Sequence, residues 1–194
     1  MAFTSENNYT DRQLVNRVLG GDAQAFVLII KSTEGLITQI ICRMINSIED
    51  RKDITQDVYL KAYNSLKGFR YSAKLSTWIG QIAYNTCVNY LEKKKLVLPG
   101  ELPDNETSAG NELNEIEAEV IVTKKALTTI LAAEIEKLSA LYKTLIVLYH
   151  QEELSYADIA QVTNLPEGTV KNYLFRARKK LKENILAKYK KEEL

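Results

Sequence analysis

The sequence predicts an all-α protein of two small helical domains joined by a flexible linker, the C-terminal one a helix-turn-helix. Three observations predict it. Apolar residues recur at helical spacing along almost the whole chain, with no convincing strand. One stretch rich in Pro, Gly, Asp, Asn and Ser interrupts them. A capped short helix, a turn and a long basic helix then close the chain. A content of 45% apolar and 26% charged residues excludes disorder throughout.

Thr10-Asp11-Arg12-Gln13 has the capping-box pattern, so a first helix opens there, and Gly20-Gly21 closes it. Asp22 caps a second helix, whose stripe Leu36, Ile37, Ile40, Ile41, Met44 and Ile45 continues past Gly35 and must face a core. A third helix is expected from about Asp50 to Lys67, with Ile54, Val58, Ala62, Tyr63 and Leu66 inward and Gly68 at its end. After a loop from Phe69 to Leu75, Ser76 is the expected N-cap of a fourth helix through Trp78, Ile79, Ile82, Ala83, Val88 and Leu91. These four helices make a first domain, residues 1–97.

Residues 98–114 carry Pro99, Gly100, Pro103 and Gly110 among Asp, Asn and Ser, the composition of a flexible linker. The helical pattern returns in a second domain, residues 115–194. There Ser155 and Asp158 form an N-cap signature, Ile159, Ala160 and Val162 supply a small apolar face, and Asn164 suits a left-handed turn. Pro166 starts the next helix, where its missing N–H costs nothing, and Val170, Leu174, Ala177, Leu181 and Ile185 form its buried stripe.

The net charge of +1 hides a segregation. Seven acidic residues and no Lys or Arg lie between Pro99 and Glu119, whereas nine basic and three acidic residues follow Gly168. The stretch Arg43 to Lys95 is also basic, ten against five. Two basic blocks around an acidic connector suit a protein that grips a polyanion at two places. Enzyme chemistry finds little support: His150 is the one histidine and reads as structural within LIVLYHQEEL, and neither a Gly-rich phosphate loop nor a nucleophile with a nearby base occurs. No cofactor is called for. Cys42 and Cys87 read as small buried hydrophobes of a reducing compartment, and Asp53 with Asp57 lacks a third metal ligand. The longest apolar run, Phe26 to Ile30, stops at Lys31, so no direct membrane insertion is expected. The start MAFTSENNYTDRQ has no signal-peptide pattern, and a cytoplasmic location is expected.

Opposite its buried stripe, the last helix presents Thr169, Lys171, Asn172, Phe175, Arg176 and Lys179. A helix fits the major groove, where Arg pairs with guanine, Asn with adenine and Phe with a thymine methyl; a solvated amphipathic helix would not need Phe175. Upstream, FRYSAKLSTWIGQIAYNTCVNYLEKKK interleaves aromatics with bases and amides, the mixture that stacks unpaired bases and holds their phosphates. Trp78 there is either a core anchor for the loop or a DNA contact. On the third helix, Asp53, Gln56, Asp57 and Leu60 share a stripe off the buried face, which reads either as a protein interface or as a solvated acidic face with one stranded leucine.

SYADIAQVTNLPEGTVKNYLFRARKKL resembles the C-terminal, −35-reading domain of sigma-70 family factors. DITQDVYLKAYNSLKGFR followed by STWIGQIAYNTCVNYL resembles the core-binding and −10-reading domain of the extracytoplasmic-function group. The resemblance covers most of the chain outside the linker and implies a sigma factor that directs promoter-specific initiation for a stress or envelope-signal regulon. Two departures stand out: Glu153 where many members have glycine, and Asn172-Tyr173 in place of the commoner Ser-Arg. By resemblance, Thr169, Lys171, Asn172, Phe175, Arg176 and Lys179 meet duplex promoter DNA, and Phe69, Arg70, Tyr71, Ser72, Lys74, Asn85 and Asn89 meet the opened −10 strand. Asp53, Gln56, Asp57 and Leu60 meet the β′ coiled coil of core RNA polymerase, with the β subunit and an anti-sigma factor as further partners. The competing reading is a stand-alone helix-turn-helix regulator, which has no reason to carry DITQDVYLKAY and STWIGQIAYN.

Overall fold

The computed structural model describes residues 9–97 and 124–192. The expected linker, 98–114, lies outside the described residues, as do residues 115–123 of the expected second domain. Among the described residues every regular element is helical.

The first helix, α1 (Asp11–Leu19), opens on a reciprocal capping box: the Gln13 N–H donates to Thr10 Oγ1 at 3.3 Å and the Thr10 N–H to Gln13 Oε1 at 2.9 Å. Gly21, at φ +93°, turns the chain as L side chains rarely can. Asp22 then accepts from the N–H groups of Gln24 and Ala25 at 3.0 and 3.2 Å, opening α2 (Ala23–Met44). Arg17 reaches the same carboxylate at 2.7 Å, and its hydrogen bond holds Asp22 below the ordinary carboxylate pKa.

α3 (Ile48–Ser65) starts before the expected Asp50 because Ser47 is its cap, accepting the Asp50 N–H at 3.2 Å. A single 3₁₀ turn, Leu66–Gly68, ends it. Tyr63 is not inward as expected. Ala62 and Leu66 fill the buried positions, and Tyr63, one step round the helix, is 48% exposed with its ring edge-on to Phe26. α4 (Leu75–Val97) begins a residue before the expected cap, Ser76, which lies inside its first turn. Its first N–H, from Leu75, donates to Asp11 Oδ2 at 2.7 Å, so α1 supplies the cap from 64 positions away.

The C-terminal set comprises α5 (Lys124–Glu136), α6 (Ala140–His150), α7 (Tyr156–Thr163) and α8 (Glu167–Glu192). The expected Ser155–Asp158 capping box opens α7, and Asn164 closes it in the left-handed region at φ 55°. Val170, Leu174, Ala177 and Leu181 of α8 are buried and Ile185 is half-buried. His150 is not a core residue: it sits exposed at the end of α6 and accepts the Arg178 Nε–H at 3.2 Å. The Cys87 thiol is buried, which pushes its pKa up to about 12, whereas Cys42 is only half-buried.

α2 organises the molecule, packing against α1, α3, α4 and α6. Although its uninterrupted runs are short, an 18-residue stretch of α2 reaches a mean hydropathy of 1.5, and the helix is long and apolar enough to cross a membrane by length and composition. Ile29, Ile37, Ile40 and Ile41 lie at 0–1% exposure in the protein interior, so α2 reads as a core helix. The two sets meet directly through α2 against α6 and α4 against α7, and their apolar residues form one continuous cluster.

Candidate nucleic-acid interface

α8 separates two faces because its buried stripe recurs every three or four residues. With Val170, Leu174 and Ala177 inward, Lys171, Asn172, Phe175, Arg176 and Lys179 are all exposed, and Thr169 is half-buried. Phe175, at 67% exposure, is the most exposed large apolar side chain among the described residues. Lys171 pairs with Glu167 at 2.7 Å, a hydrogen bond that raises its pKa, and Lys179 lies 3.8 Å from Glu183. Both are exposed i,i+4 pairs of small net value, so either lysine can exchange its partner for a phosphate.

Beside this face lies a group that sequence reasoning missed. Tyr149 at the end of α6 and Tyr156 at the start of α7 stack with centroids 4.9 Å apart and rings 18° from parallel. Arg178 lies over Tyr149 at 4.9 Å and Lys171 over Tyr156 at 5.3 Å. The hydrogen bond from Tyr149, helped by the nearby cations, holds Tyr156 below the ordinary phenol pKa, and the same bond raises Tyr149 against the opposing effect of Arg178. Spacing along the chain cannot bring α6, α7 and α8 together, which is why no motif signalled it. Between α6 and α7, Glu153 adopts φ 53°, the left-handed conformation for which glycine is best suited. The glycine expected there by resemblance therefore has a backbone reason.

The loop before α4 is ordered by aromatic stacking. Phe69 is buried at 7% exposure, so it offers no open face to a base; it supports Tyr71 at 4.7 Å and Trp78 at 5.2 Å. Trp78, half-buried, anchors the loop through that contact. Tyr71 is exposed, lies beneath Arg12 at 5.3 Å, and holds φ 56°, a strained conformation for an aromatic residue. Arg70, Ser72, Lys74 and Asn89 are exposed. Asn85 is half-buried, with Oδ1 accepting from Asn164 Nδ2 of α7 at 3.0 Å. The phenol of Tyr90 donates to Asp50 at 2.5 Å, tying α4 to α3.

On α3, Asp53, Gln56, Asp57 and Leu60 form one outward stripe while Ile54, Val58 and Ala62 are buried. Leu60 is 59% exposed, and Lys61 lies 3.8 Å from Asp57. Among the described residues no cluster of three or more His, Cys, Asp or Glu could hold a metal ion.

The chain matches the family description Sigma-70 region 2 over residues 29–97 and Sigma-70, region 4 over residues 128–181. It is 33% identical over 186 residues to the ECF RNA polymerase sigma-E factor of Haemophilus influenzae, covering 91% of this chain and 95% of that one. It is 30% identical over 182 residues to the ECF RNA polymerase sigma factor SigW of Bacillus subtilis, covering 90% and 96%. Two solved structures share the fold at 19% identity. CnrH in complex with the cytosolic domain of CnrY gives a TM-score of 0.63 over 91% of this chain and 97% of that one. The sigma factor RpoE in complex with the anti-sigma factor NepR from Bartonella quintana gives 0.62 over 83% and 96%. The two matched regions fall on the two helical sets, in order, and the relatives align along nearly their whole length, so the chain belongs to the extracytoplasmic-function RNA polymerase sigma factors.

Proposed function

We propose that the chain binds core RNA polymerase, directs promoter-specific transcription initiation in the cytoplasm, and has no enzymatic chemistry of its own. The observation that carries this reading is the exposed α8 face: Asn172, Phe175 and Arg176 project from a helix whose other side is packed. That combination suits a major groove better than water. The exposed stripe Asp53, Gln56, Asp57 and Leu60 docks on the β′ coiled coil, with the carboxylates facing cations and Leu60 covered, while the second domain approaches the β subunit. Arg70, Tyr71, Ser72, Lys74, Asn85 and Asn89 hold the opened −10 strand; Phe69 acts by supporting Tyr71. An anti-sigma factor that covers the basic faces is the regulatory partner. Domain limits of 1–97 and 115–194, joined by 98–114, fit the two packed sets.

Run-off transcription with purified core enzyme on fragments spanning the source genome tests the function. Discrete transcripts that require the chain support it. Output indistinguishable from core enzyme alone overturns it.

A further inference from the structure

α1 touches the loop before α4, residues 69–74, at both of its ends. Where the loop begins, α1 packs against the 3₁₀ turn Leu66–Gly68. Where it ends, Asp11 Oδ2 accepts the Leu75 N–H at 2.7 Å, from a first helical turn that the Thr10–Gln13 capping box already orders. Lys74 holds the cap position of α4, its carbonyl accepting the Trp78 N–H at 3.1 Å. A lysine side chain has no acceptor to offer there, and its charge opposes the positive end of the helix dipole. A carboxylate brought in from α1 corrects both defects and leaves position 74 free to carry an exposed cation. Between the two ends, flat side chains succeed one another outward. Phe69 is buried, Tyr71 lies 4.7 Å from it and is exposed, and the exposed Arg12 guanidinium lies 5.3 Å over the Tyr71 ring. Tyr71 holds φ 56°, which an aromatic residue rarely adopts, so the loop keeps this shape only under such restraints.

We infer that α1 completes the site for the opened strand: Arg12 stacks on an unpaired base, and Asp11 is a positioning residue that fixes the exit of the loop. The inference rests on the proposed assignment of α4 and its preceding loop to single-stranded DNA. A guanidinium has two flat faces. With one against Tyr71, the other faces outward and accepts a base, while the charge attracts the phosphates beside it. Lysine at this position would supply the charge without the plane. Asp11 acts indirectly, because a carboxylate repels a phosphodiester and this one is half-buried against the Leu75 N–H. By holding the first N–H of α4 it sets where Lys74 stands, and with it the reach of the Lys74 ammonium toward the strand.

The test uses holoenzyme assembled from core polymerase and the full chain, on a promoter first mapped by run-off transcription with wild type. Two quantities are read: affinity for a fluorescent single-stranded oligonucleotide carrying the −10 sequence of that promoter, and the rate at which its −10 thymines become permanganate-reactive at saturating holoenzyme. Arg12→Ala should weaken oligonucleotide binding about fivefold or more, with affinity for duplex −35 DNA unchanged. Arg12→Lys should recover only part of that loss. Asp11→Ala should slow opening about fivefold, the rate equivalent of a typical lost cap, and Asp11→Asn, which retains an acceptor for the Leu75 N–H, should restore it. Arg12 is exposed, so its variants report on the strand site even where Asp11→Ala loses helical content by circular dichroism. Wild-type oligonucleotide affinity in Arg12→Ala, or an Arg12→Lys variant equal to wild type, overturns the stacking role. Opening at the wild-type rate in Asp11→Ala, or an Asp11→Asn variant as slow as Asp11→Ala, overturns the positioning role. A wild-type chain that stays silent with core enzyme in run-off transcription overturns the functional reading and this inference with it, whereas active wild type with unaffected variants overturns this inference alone.

Discussion

Glu153→Gly should stabilise the protein by roughly 0.5 to 1 kcal/mol through the backbone of a single turn. Glu153 holds φ 53° in the turn where the Gln151 and Glu152 N–H groups return to the Val147 carbonyl and the Leu154 N–H returns to Leu148. A non-glycine residue in that region carries about 1 to 2 kcal/mol of strain. Glycine removes the strain and loses about 0.5 to 1 kcal/mol through its more flexible unfolded chain. The Glu153 side chain is exposed, so its packing contributes little that the substitution would remove. In a chain of this size, a change of that order raises Tm by about 1 to 4 °C. Urea denaturation followed by circular dichroism should show a higher midpoint at unchanged slope, and Glu153→Ala, which keeps the Cβ, should not reproduce it. A glycine variant with an equal or lower midpoint refutes the strain argument.

Asp57→Arg and Leu60→Asp should each weaken binding to core polymerase at least tenfold in a pull-down titration, with helical content intact, because both side chains lie off the buried face. Arg176→Ala should cost about 1 to 3 kcal/mol in promoter binding and relax preference at one position of the upstream element, read by binding to a randomised −35 library. Tyr90→Phe removes the hydrogen bond that holds Asp50 below its ordinary value of 3.8. A depressed carboxylate stabilises the fold above its unfolded pKa, and that contribution is lost as pH falls through the folded value. Wild type should therefore exceed Tyr90→Phe in urea midpoint at neutral pH, and the gap should narrow below about pH 4.

What was legible in the sequence was local. The Thr10 and Ser155 capping boxes, Asn164 as a left-handed cap and the α8 stripe all depend on residues within a turn or two of each other, and each appears where expected. The outward position of Asp53, Gln56, Asp57 and Leu60 followed from the same periodicity. The misses share a different cause. Leu75 is capped by Asp11 from another helix, Phe69 is drawn inward beneath Tyr71 and against Trp78, and Tyr63 turns outward against Phe26. Tertiary partners chosen from distant positions leave no periodic trace. The bridge from Asn164 to Gln81 and Asn85 is of the same kind: the resemblance marks Asn85 as a strand contact, but nothing in the local pattern of these half-buried amides signals a partner in α7. Glu153 is intermediate: the expected glycine pointed to a backbone constraint, and only the dihedral angle identified which one.

Permanganate footprinting of promoter complexes at saturating polymerase tests the central claim, that this chain brings core enzyme to promoters and opens them with separate duplex and single-strand sites. Unpaired thymines react and paired ones do not, so strand opening is read directly. With wild type, thymines of the −10 element should become reactive, and core enzyme alone should leave them protected. Asn85→Ala and Lys74→Ala should bind the promoter normally and open it slowly, because their targets appear only once bases leave the stack. Arg176→Ala should reduce occupancy before it affects opening. Wild-type holoenzyme that leaves the −10 thymines unreactive, or Asn85→Ala and Lys74→Ala complexes that open as fast and as fully as wild type, would contradict the account.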